Sequence, residues 1–146
     1  MVTFYRRLPR FDCLAPKTVN EALSLLSQYK GKAKVIAGGT DLVPKLKRRQ
    51  IETPACIVAL KGIPDLDYIR YDETHGLRFG ALTTIRAIET SPVIREKFTV
   101  LAQAASSIGS VQVRNRGTVG GNICNAVPSA YILNLALTHL MTISIL

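Results

Sequence analysis

The sequence predicts an α+β protein: a small N-terminal α/β subdomain built on a βαβ unit, followed by a second subdomain of α+β type. Apolar strand patterns alternate with helical patterns in the first part of the chain. A hairpin pattern and several short helical patterns then follow. The chain has 146 residues, of which 47% are hydrophobic, so it is long enough for one domain or two small subdomains. We place the two subdomains at residues 1–61 and 62–146.

The first subdomain is expected to open with an extended segment, because Pro9 and Pro16 disfavour a helix there. Thr18 and Glu21 then form a capping-box pattern, which predicts a helix that ends near Gly31. The apolar positions at helical spacing are Val19, Ala22, Leu23 and Leu26. We therefore expect this face of the helix to pack on the core.

A βαβ unit is predicted next. Residues 32–37 predict a strand, and its uniformly apolar end at residues 35–37 suggests that both faces are covered. A helix over residues 41–49 tolerates Pro44 because its first turn has no intrahelical N–H bond to lose. A second apolar strand is predicted over residues 56–60.

The turn inside this unit predicts a phosphate-binding site. Gly38 and Gly39 lack Cβ atoms, so the chain can turn sharply and a ligand can approach its N–H groups. Thr40 and Asp41 are suited to cap the next helix, whose N-terminal N–H groups and dipole favour an anion. Such turns also occur in proteins that bind nothing, so these residues alone leave both interpretations open. The candidate residues are Val35, Ile36, Ala37, Gly38, Gly39, Thr40, Asp41 and Leu42.

The second subdomain is predicted to begin with an antiparallel hairpin around the polar turn at residues 73–76. Short helices are expected after it, with a break at Ser91 and Pro92 and an end at Gly109. The predicted strands span residues 66–72 and 77–81, and the predicted helices span residues 84–89, 93–98 and 101–108.

The charge of the chain leaves several partners open. Nineteen Lys and Arg residues against ten Asp and Glu residues give a formal charge of +9, which suits nucleic acid, an anionic ligand or an acidic protein. The basic residues cluster at 45–49 and 114–116, and the first cluster also suits the C-terminal end of a helix. The chain has no Trp, and no aromatic residues interleave with these clusters, so base stacking has little support.

The cysteines and the apolar runs indicate a cytoplasmic protein. Cys13, Cys56 and Cys124 lie far apart and form no pair at metal-ligand spacing, so neither a disulfide framework nor a metal site is predicted. The first residues do not form an export signal, and no apolar run is long enough to cross a bilayer.

A second glycine cluster lies in the C-terminal part of the chain. Gly120 and Gly121, with Asn122 and Asn125, are expected to offer exposed backbone donors and side-chain amides, without a strong helix after them. Two Gly-Gly turns suggest one extended ligand held at two points. A dinucleotide has this shape, with phosphates at one turn and a ring system at the other.

Two segments resemble a known family. VIAGGTDLVPKLK at residues 35–47 and RNRGTVGGNICNAVPSA at residues 114–130 resemble the flavin-binding segments of the FAD-binding, or medium, subunit of the molybdenum hydroxylases. This is the xanthine dehydrogenase and carbon monoxide dehydrogenase family. The opening LPRFDCLAPKTVNEALSLL and the GALTTI at residues 80–85 are also similar to it. The resemblance implies a PCMH-type FAD-binding fold, related to that of vanillyl-alcohol oxidase.

The resemblance also implies a binding site. Its first segment is expected to wrap the FAD pyrophosphate with the stretch from Val35 to Leu42, and its second to lie along the flavin end. The residues implied at the flavin end are Thr118, Val119, Gly120, Gly121 and Asn122, with Ile108 as a further contact. No catalytic side chain is implied on this chain, and no metal.

The implied function is electron transfer in an FAD-dependent oxidoreductase. In this family a molybdopterin-binding large subunit hydroxylates the substrate, a small subunit carries two [2Fe–2S] clusters, and FAD passes electrons to NAD, oxygen or a quinone-like acceptor. Two alternatives stay open: a stand-alone PCMH-type flavin oxidoreductase, and a basic nucleic-acid-binding domain.

The chain departs from the family near its end. The family subunit is longer, so the second subdomain is expected to be incomplete and the isolated chain to hold FAD weakly. After residue 130 the family usually has an Asp, where this chain has Tyr131. We expect a truncated or frameshifted version, with sequence from about Tyr131 that is not native to the family.

Overall fold

The computed structural model describes residues 7–125, which contain both strands and helices. The strands are β1 (Asp12–Leu14), β2 (Ala33–Ile36), β3 (Cys56–Ala59), β4 (Ile69–Asp72) and β5 (Gly76–Phe79). The helices are α1 (Val19–Gln28), α2 (Leu42–Lys47), α3 (Ile85–Thr90), α4 (Pro92–Lys97), α5 (Thr99–Ser106), α6 (Val111–Arg114) and α7 (Val119–Asn125). Short 3₁₀ turns at Leu60–Gly62 and Pro64–Leu66 join the first sheet to the rest. This order confirms the predicted α+β class.

The first sheet is parallel, with strand order β1-β3-β2. Cys56 of β3 lies opposite both Asp12 of β1 and Ala33 of β2. The pairing of β2 with β3 around α2 confirms the predicted βαβ unit. The sequence predicts only an extended lead-in here, and the structure shows that part of it forms strand β1. Three residues are too few to show a strand pattern, and their partner strand lies far away in the sequence.

Strand β2 is an edge strand, and the prediction that both of its faces are covered is wrong. Val35 is 42% exposed, and its side chain lines a cleft described below. The central strand is β3, in which Cys56, Ile57 and Val58 are all buried. An uninterrupted apolar run therefore corresponds to a buried strand at β3 and to a wall of the cleft at β2.

Helix α1 begins with a modified capping box. The Thr18 Oγ1 accepts a hydrogen bond from the Glu21 N–H at 3.1 Å, as predicted. The Glu21 Oε2 accepts from the Lys17 N–H at 2.7 Å instead of from the N-cap residue's own N–H. Two backbone donors at the helix start are still satisfied.

The buried face of α1 differs from the predicted one. Val19 and Leu23 are 40% and 56% exposed, so their assignment to the core is wrong. The residues that pack inward are Ala22, Leu25, Leu26 and Tyr29. These have the same i, i+3, i+4, i+7 spacing as the predicted set, so periodicity alone could not choose between two overlapping apolar faces.

The second part of the chain packs short helices on the predicted antiparallel hairpin, which β4 and β5 form. The Asp72 carboxylate accepts from the His75 N–H at 2.7 Å, and this hydrogen bond, with that of the His75 ring, lowers the pKa of Asp72. Helices α3, α4 and α5 cover the hairpin and bury Ile85, Ile88 and Ile94.

The first core crosses the predicted subdomain boundary. It contains Ala22 and Val58 from the first sheet region and also Ile63, Leu66 and Leu82 from beyond residue 61. The division into residues 1–61 and 62–146 therefore stays a prediction. The segment from Tyr131 onwards lies outside the described residues, and none of the helices in 7–125 is long and apolar enough to span a membrane.

Candidate cofactor site

A cleft of about 720 Å³ opens at the carboxyl end of β2, within the size range of small-molecule sites. The predicted residues that line it are Val35, Ile36, Ala37, Gly38, Gly39, Thr40, Asp41, Leu42, Ile108, Thr118, Gly120, Gly121 and Asn122. Of the predicted set, Val119 does not line it. The fold therefore brings the two glycine segments to one place.

The two glycine segments touch each other at Gly38. A Cβ atom there would overlap the carbonyl oxygen of Arg116, and would lie 2.9 Å from its carbonyl carbon and 3.0 Å from the Gly117 Cα. A Cβ on Gly117 would in turn lie 3.6 Å from the Thr40 Oγ1. The segments predicted to hold a ligand at two separate points thus form adjoining walls of one cleft.

The first segment presents backbone donors without the predicted side-chain cap. Asp41 stands at the N-cap of α2, but its φ and ψ of −105° and −46° are helical, and its side chain makes no capping bond. An N-cap residue normally needs extended backbone to reach the next N–H groups. Within residues 7–125, the N–H groups of Gly39, Thr40, Asp41 and Leu42 have no backbone acceptor.

The second segment is a helix, so the prediction of exposed backbone donors there is wrong. The Gly120 N–H donates to the Ala81 carbonyl at 2.9 Å, and the Gly121 N–H to the Thr118 Oγ1 at 3.2 Å. Glycine is needed at position 120 for α7 to contact Ala81, because a Cβ atom there would lie 2.8 Å from the Ala81 carbonyl oxygen. Glycines that suggested a turn in fact allow α7 to pack closely.

Val119 belongs to the core. Its side chain is 2% exposed among the buried residues between the hairpin and its helices, and its N–H donates to the Thr83 carbonyl at 2.9 Å. This side chain supports the fold next to the cleft, and the predicted contact of Val119 with FAD stays a prediction.

The segment from Ala81 to Ile85 supports the second glycine segment. Thr84 and Thr118 form an antiparallel bridge, and the Ile85 N–H donates to the Gly117 carbonyl at 2.9 Å. Ala81, Leu82 and Ile85 also line the cleft. The sequence predicts a strand up to residue 81 and a helix from residue 84, but not the bridge to Thr118, because that partner lies more than thirty residues away.

Asn122 lines the cleft and carries a buried acceptor. Its Oδ1 is buried and has no hydrogen-bond partner among the described residues. A buried polar atom without a partner is costly, and natural structures seldom keep one without a reason. The cleft therefore offers backbone donors at its first segment and an unused acceptor at its second.

Lys45 is a site residue that sequence reasoning missed. Its Nζ donates to the Asn125 Oδ1 at 2.9 Å, and both residues line the cleft. The charged side chains of the lining are Lys34, Asp41 and Lys45, which leave one positive charge in excess. The sequence places Lys45 in a basic cluster and in the first segment that resembles the family, but nothing in its spacing marks Asn125 as its partner.

One arginine of the second basic cluster is internal, whereas Arg116 is exposed. Arg114 is 8% exposed, and its Nε donates to the Glu89 Oε2 at 2.8 Å. Lys45 lines the cleft and Arg114 is buried, while the remaining basic side chains of the two clusters are exposed: Lys47, Arg48, Arg49 and Arg116. The nucleic-acid alternative therefore stays a prediction to be tested.

The pairing of Glu89 has a consequence for acid stability. Burial alone would raise the pKa of Glu89, but hydrogen bonds from Arg86 and Arg114 outweigh it and hold the pKa below its ordinary value of 4.5. A lowered native pKa means that ionised Glu89 stabilises the fold above about pH 4.5, and that this contribution is lost as the pH falls through the native pKa.

We therefore expect Glu89→Gln to destabilise the protein most at neutral pH. Its difference from the wild type in free energy of unfolding should shrink when urea unfolding is repeated at about pH 3.5, below the ordinary pKa of 4.5, where Glu89 in the unfolded chain is increasingly protonated. Glu96→Gln, at an exposed position of α4, is the control and should change little at either pH. An equal difference at both pH values would contradict the role of the ionised carboxylate.

Comparison with known proteins identifies the family. The pattern of the family described as the FAD binding domain in molybdopterin dehydrogenase matches residues 9–141. The match continues past Tyr131, so it does not support the expectation that the resemblance ends there.

Curated relatives agree with this match. The chain is 46% identical over 114 residues to the nicotinate dehydrogenase FAD-subunit of Eubacterium barkeri, covering 77% of this chain and 38% of the relative. It is 41% identical over 120 residues to the carbon monoxide dehydrogenase medium chain of Hydrogenophaga pseudoflava, covering 82% and 41%. The chain thus spans about two fifths of the length of these relatives.

Solved structures show the same fold. Carbon monoxide dehydrogenase from Hydrogenophaga pseudoflava matches with a TM-score of 0.79 at 40% identity, over 84% of this chain and 42% of that one. Quinoline 2-oxidoreductase from Pseudomonas putida 86 matches with a TM-score of 0.76 at 31% identity, over 82% and 41%. The predicted PCMH-type fold is confirmed, and the chain belongs to the family of FAD-binding domains of molybdopterin dehydrogenases.

Proposed function

We propose that this chain binds FAD in the cleft and serves as the FAD-binding part of an electron-transfer subunit in a molybdopterin-dependent hydroxylase or dehydrogenase. The observation that carries the proposal is the polarity of the cleft. Backbone donors lie at Gly39–Leu42, and an unused acceptor lies at Asn122. FAD has the matching polarity, because its pyrophosphate only accepts hydrogen bonds while its flavin ring and ribityl chain also donate them.

The two segments would hold different parts of the cofactor. The pyrophosphate fits the first segment, where free N–H groups, a helix start and the positive charge of Lys45 favour an anion. The flavin end fits the second segment, where Gly121 leaves room and Ile108 offers an apolar contact. Asn122 would accept a hydrogen bond there.

When bound, FAD can take up electrons one at a time from one-electron carriers and pass them in pairs to an acceptor. The protein binds and orients the cofactor. We propose that the electrons come from the [2Fe–2S] clusters of a small subunit, which receives them from a molybdopterin-binding large subunit. NAD or oxygen is the proposed acceptor, and the cytoplasm the proposed location. Names such as "medium chain" and "FAD-subunit" among the relatives support a multi-subunit assembly.

Titration of the purified 146-residue chain with FAD tests the binding proposal directly. We expect one FAD to bind saturably, and we measure this binding by the quenching of flavin fluorescence. The affinity should be weak, because the chain spans about two fifths of the length of its relatives. Single-stranded and duplex DNA test the nucleic-acid alternative, which steeply salt-dependent DNA binding without FAD binding would support. Absence of saturable FAD binding up to millimolar concentration would refute the proposal.

Lys45 provides a sharper test of the pyrophosphate end. We expect Lys45→Gln to weaken FAD binding by about fivefold, with a smaller dependence on salt than the wild type, because one positive charge at the cleft is lost. Lys47→Gln removes the same charge from the exposed side of the same helix turn and should change the affinity by less than about twofold. Equal losses of FAD affinity in both variants would mean that binding depends only on the net charge of the chain and not on the position of Lys45.

The partner proposal needs a separate experiment. A tagged copy of this chain, expressed in its source organism, should copurify with polypeptides that contain molybdenum and iron. Recovery of the tagged chain with flavin but without either metal would favour the alternative of a stand-alone flavin oxidoreductase.

A further inference from the structure

Arg114 holds the loop that brings Ile108 to the cleft. Helix α5 ends at Ser106, and Ser107, Ile108 and Gly109 then line the cleft wall. The Arg114 Nη1 donates to the carbonyl oxygens of Ile108 at 3.2 Å and of Gly109 at 3.0 Å. Carbonyl groups beyond a helix end have no intrahelical partner, so the guanidinium satisfies two of them at once.

Glu89 of α3 fixes the guanidinium in turn. Its Oε2 accepts from the Arg114 Nε at 2.8 Å, while its Oε1 accepts from the Arg86 Nη1 at 2.9 Å. The Arg114 and Glu89 side chains are 10% and 16% exposed, whereas that of Arg86 is 42% exposed. Arg114 is therefore the partner that connects α3 to the loop, and Arg86 is a more exposed partner of Glu89.

The loop depends on this connection for its position. Gly109 has a φ of +50°, and the Ser110 Oγ accepts from the Val113 N–H at 3.3 Å, so the chain folds back on itself before α6. These local bonds shape the loop. The bond from Arg114 to Glu89 attaches it to α3.

We infer that Arg114 is a positioning residue for the cofactor cleft: anchored by Glu89, its guanidinium fixes the Ile108–Gly109 carbonyls and so sets the place of this cleft wall. Lysine could keep the charge near Glu89, but its single ammonium lacks the planar fork that joins Glu89 and two carbonyls. The identity of the ligand rests on the proposed function, whereas the hold on the loop does not.

Two matched variants of the 146-residue chain test this inference. Arg114→Lys and Arg86→Lys change the same residue type at two partners of the same carboxylate. In hydrogen–deuterium exchange without FAD, we expect Arg114→Lys to speed exchange in residues 107–113 by about tenfold, and Arg86→Lys to leave it unchanged. In FAD titrations, the dissociation constant should rise about tenfold in Arg114→Lys and by less than about twofold in Arg86→Lys.

Other outcomes overturn the inference. Unchanged exchange in Arg114→Lys would show that the guanidinium does not hold the loop, whatever the FAD result. Faster exchange with wild-type FAD affinity would make Arg114 a stabilising residue only. A wild-type chain that takes up no FAD would refute the proposed function, and Arg114 would then be judged by the exchange of residues 107–113: faster exchange supports its role, and unchanged exchange overturns it.

Discussion

Replacing Gly38 with alanine is expected to disrupt both the fold around the cleft and the binding of FAD. The new Cβ atom would overlap the Arg116 carbonyl oxygen and lie 3.0 Å from the Gly117 Cα. Both contacts are to backbone, so no side-chain rotation relieves them, and the two glycine segments must move apart. We expect a loss of about 1–3 kcal/mol in free energy of unfolding, as for overpacked sites.

The loss of FAD affinity in Gly38→Ala should be larger than the loss of stability alone explains. Moving the segments apart displaces the donors at residues 39–42 from the acceptor at Asn122, so bonds to the two ends of one ligand cannot all form. A single hydrogen bond to a charged group contributes about 1.5–3 kcal/mol, so losing one raises the dissociation constant by roughly tenfold to a hundredfold. FAD titration of the folded protein measures this.

Gly31→Ala is the control for lost stability. Gly31 has a φ of +83° and no atoms within 4 Å of its Cβ position, and it lies outside the cleft lining. Alanine there should cost about 1–2 kcal/mol through backbone strain and leave the FAD affinity of the folded protein unchanged. Equal FAD affinities in the two variants would contradict a specific role of the Gly38 contact.

The sequence predicted the cleft's location better than its internal contacts. Gly38 and Gly39 after an apolar strand indicated a ligand at the carboxyl end of that strand, because local chain geometry determines where such a turn can lie. The contact of Gly38 with Arg116 could not be predicted, since it joins residues almost eighty positions apart and depends on the whole fold.

In the helical segments, too, features set by neighbouring residues could be predicted, and features set by distant residues could not. The cap at Thr18 is formed by residues within the same turn and was predicted. The buried face of α1 depends on the sheet beneath it, so Leu23 was misplaced. Gly120 and Gly121 suggest a turn, but both lie in α7, where Gly120 packs against Ala81. Tertiary packing decided each of these cases.

Replacing Asn122 with leucine is expected to have opposite effects on the free protein and on its complex with FAD. The Asn122 Oδ1 is buried without a partner in residues 7–125, so an apolar side chain of similar size removes an unsatisfied acceptor. Such replacements are nearly neutral or stabilising. The thermal midpoint of the FAD-free protein should therefore stay the same or rise.

The complex should be weakened by the same change. A ligand donor that meets leucine instead of the Asn122 oxygen is left buried without a partner, at a cost of about 1–3 kcal/mol, which corresponds to a rise of roughly fivefold to a hundredfold in the dissociation constant. Asn115→Leu, at an exposed position outside the cleft lining, should leave the FAD affinity unchanged. A destabilised FAD-free protein that binds FAD normally would assign Asn122 to the fold instead of the cofactor. Removing a structural residue lowers the stability of the protein, whereas removing a ligand-binding residue lowers its affinity for the ligand. The two measurements together therefore decide which role Asn122 has.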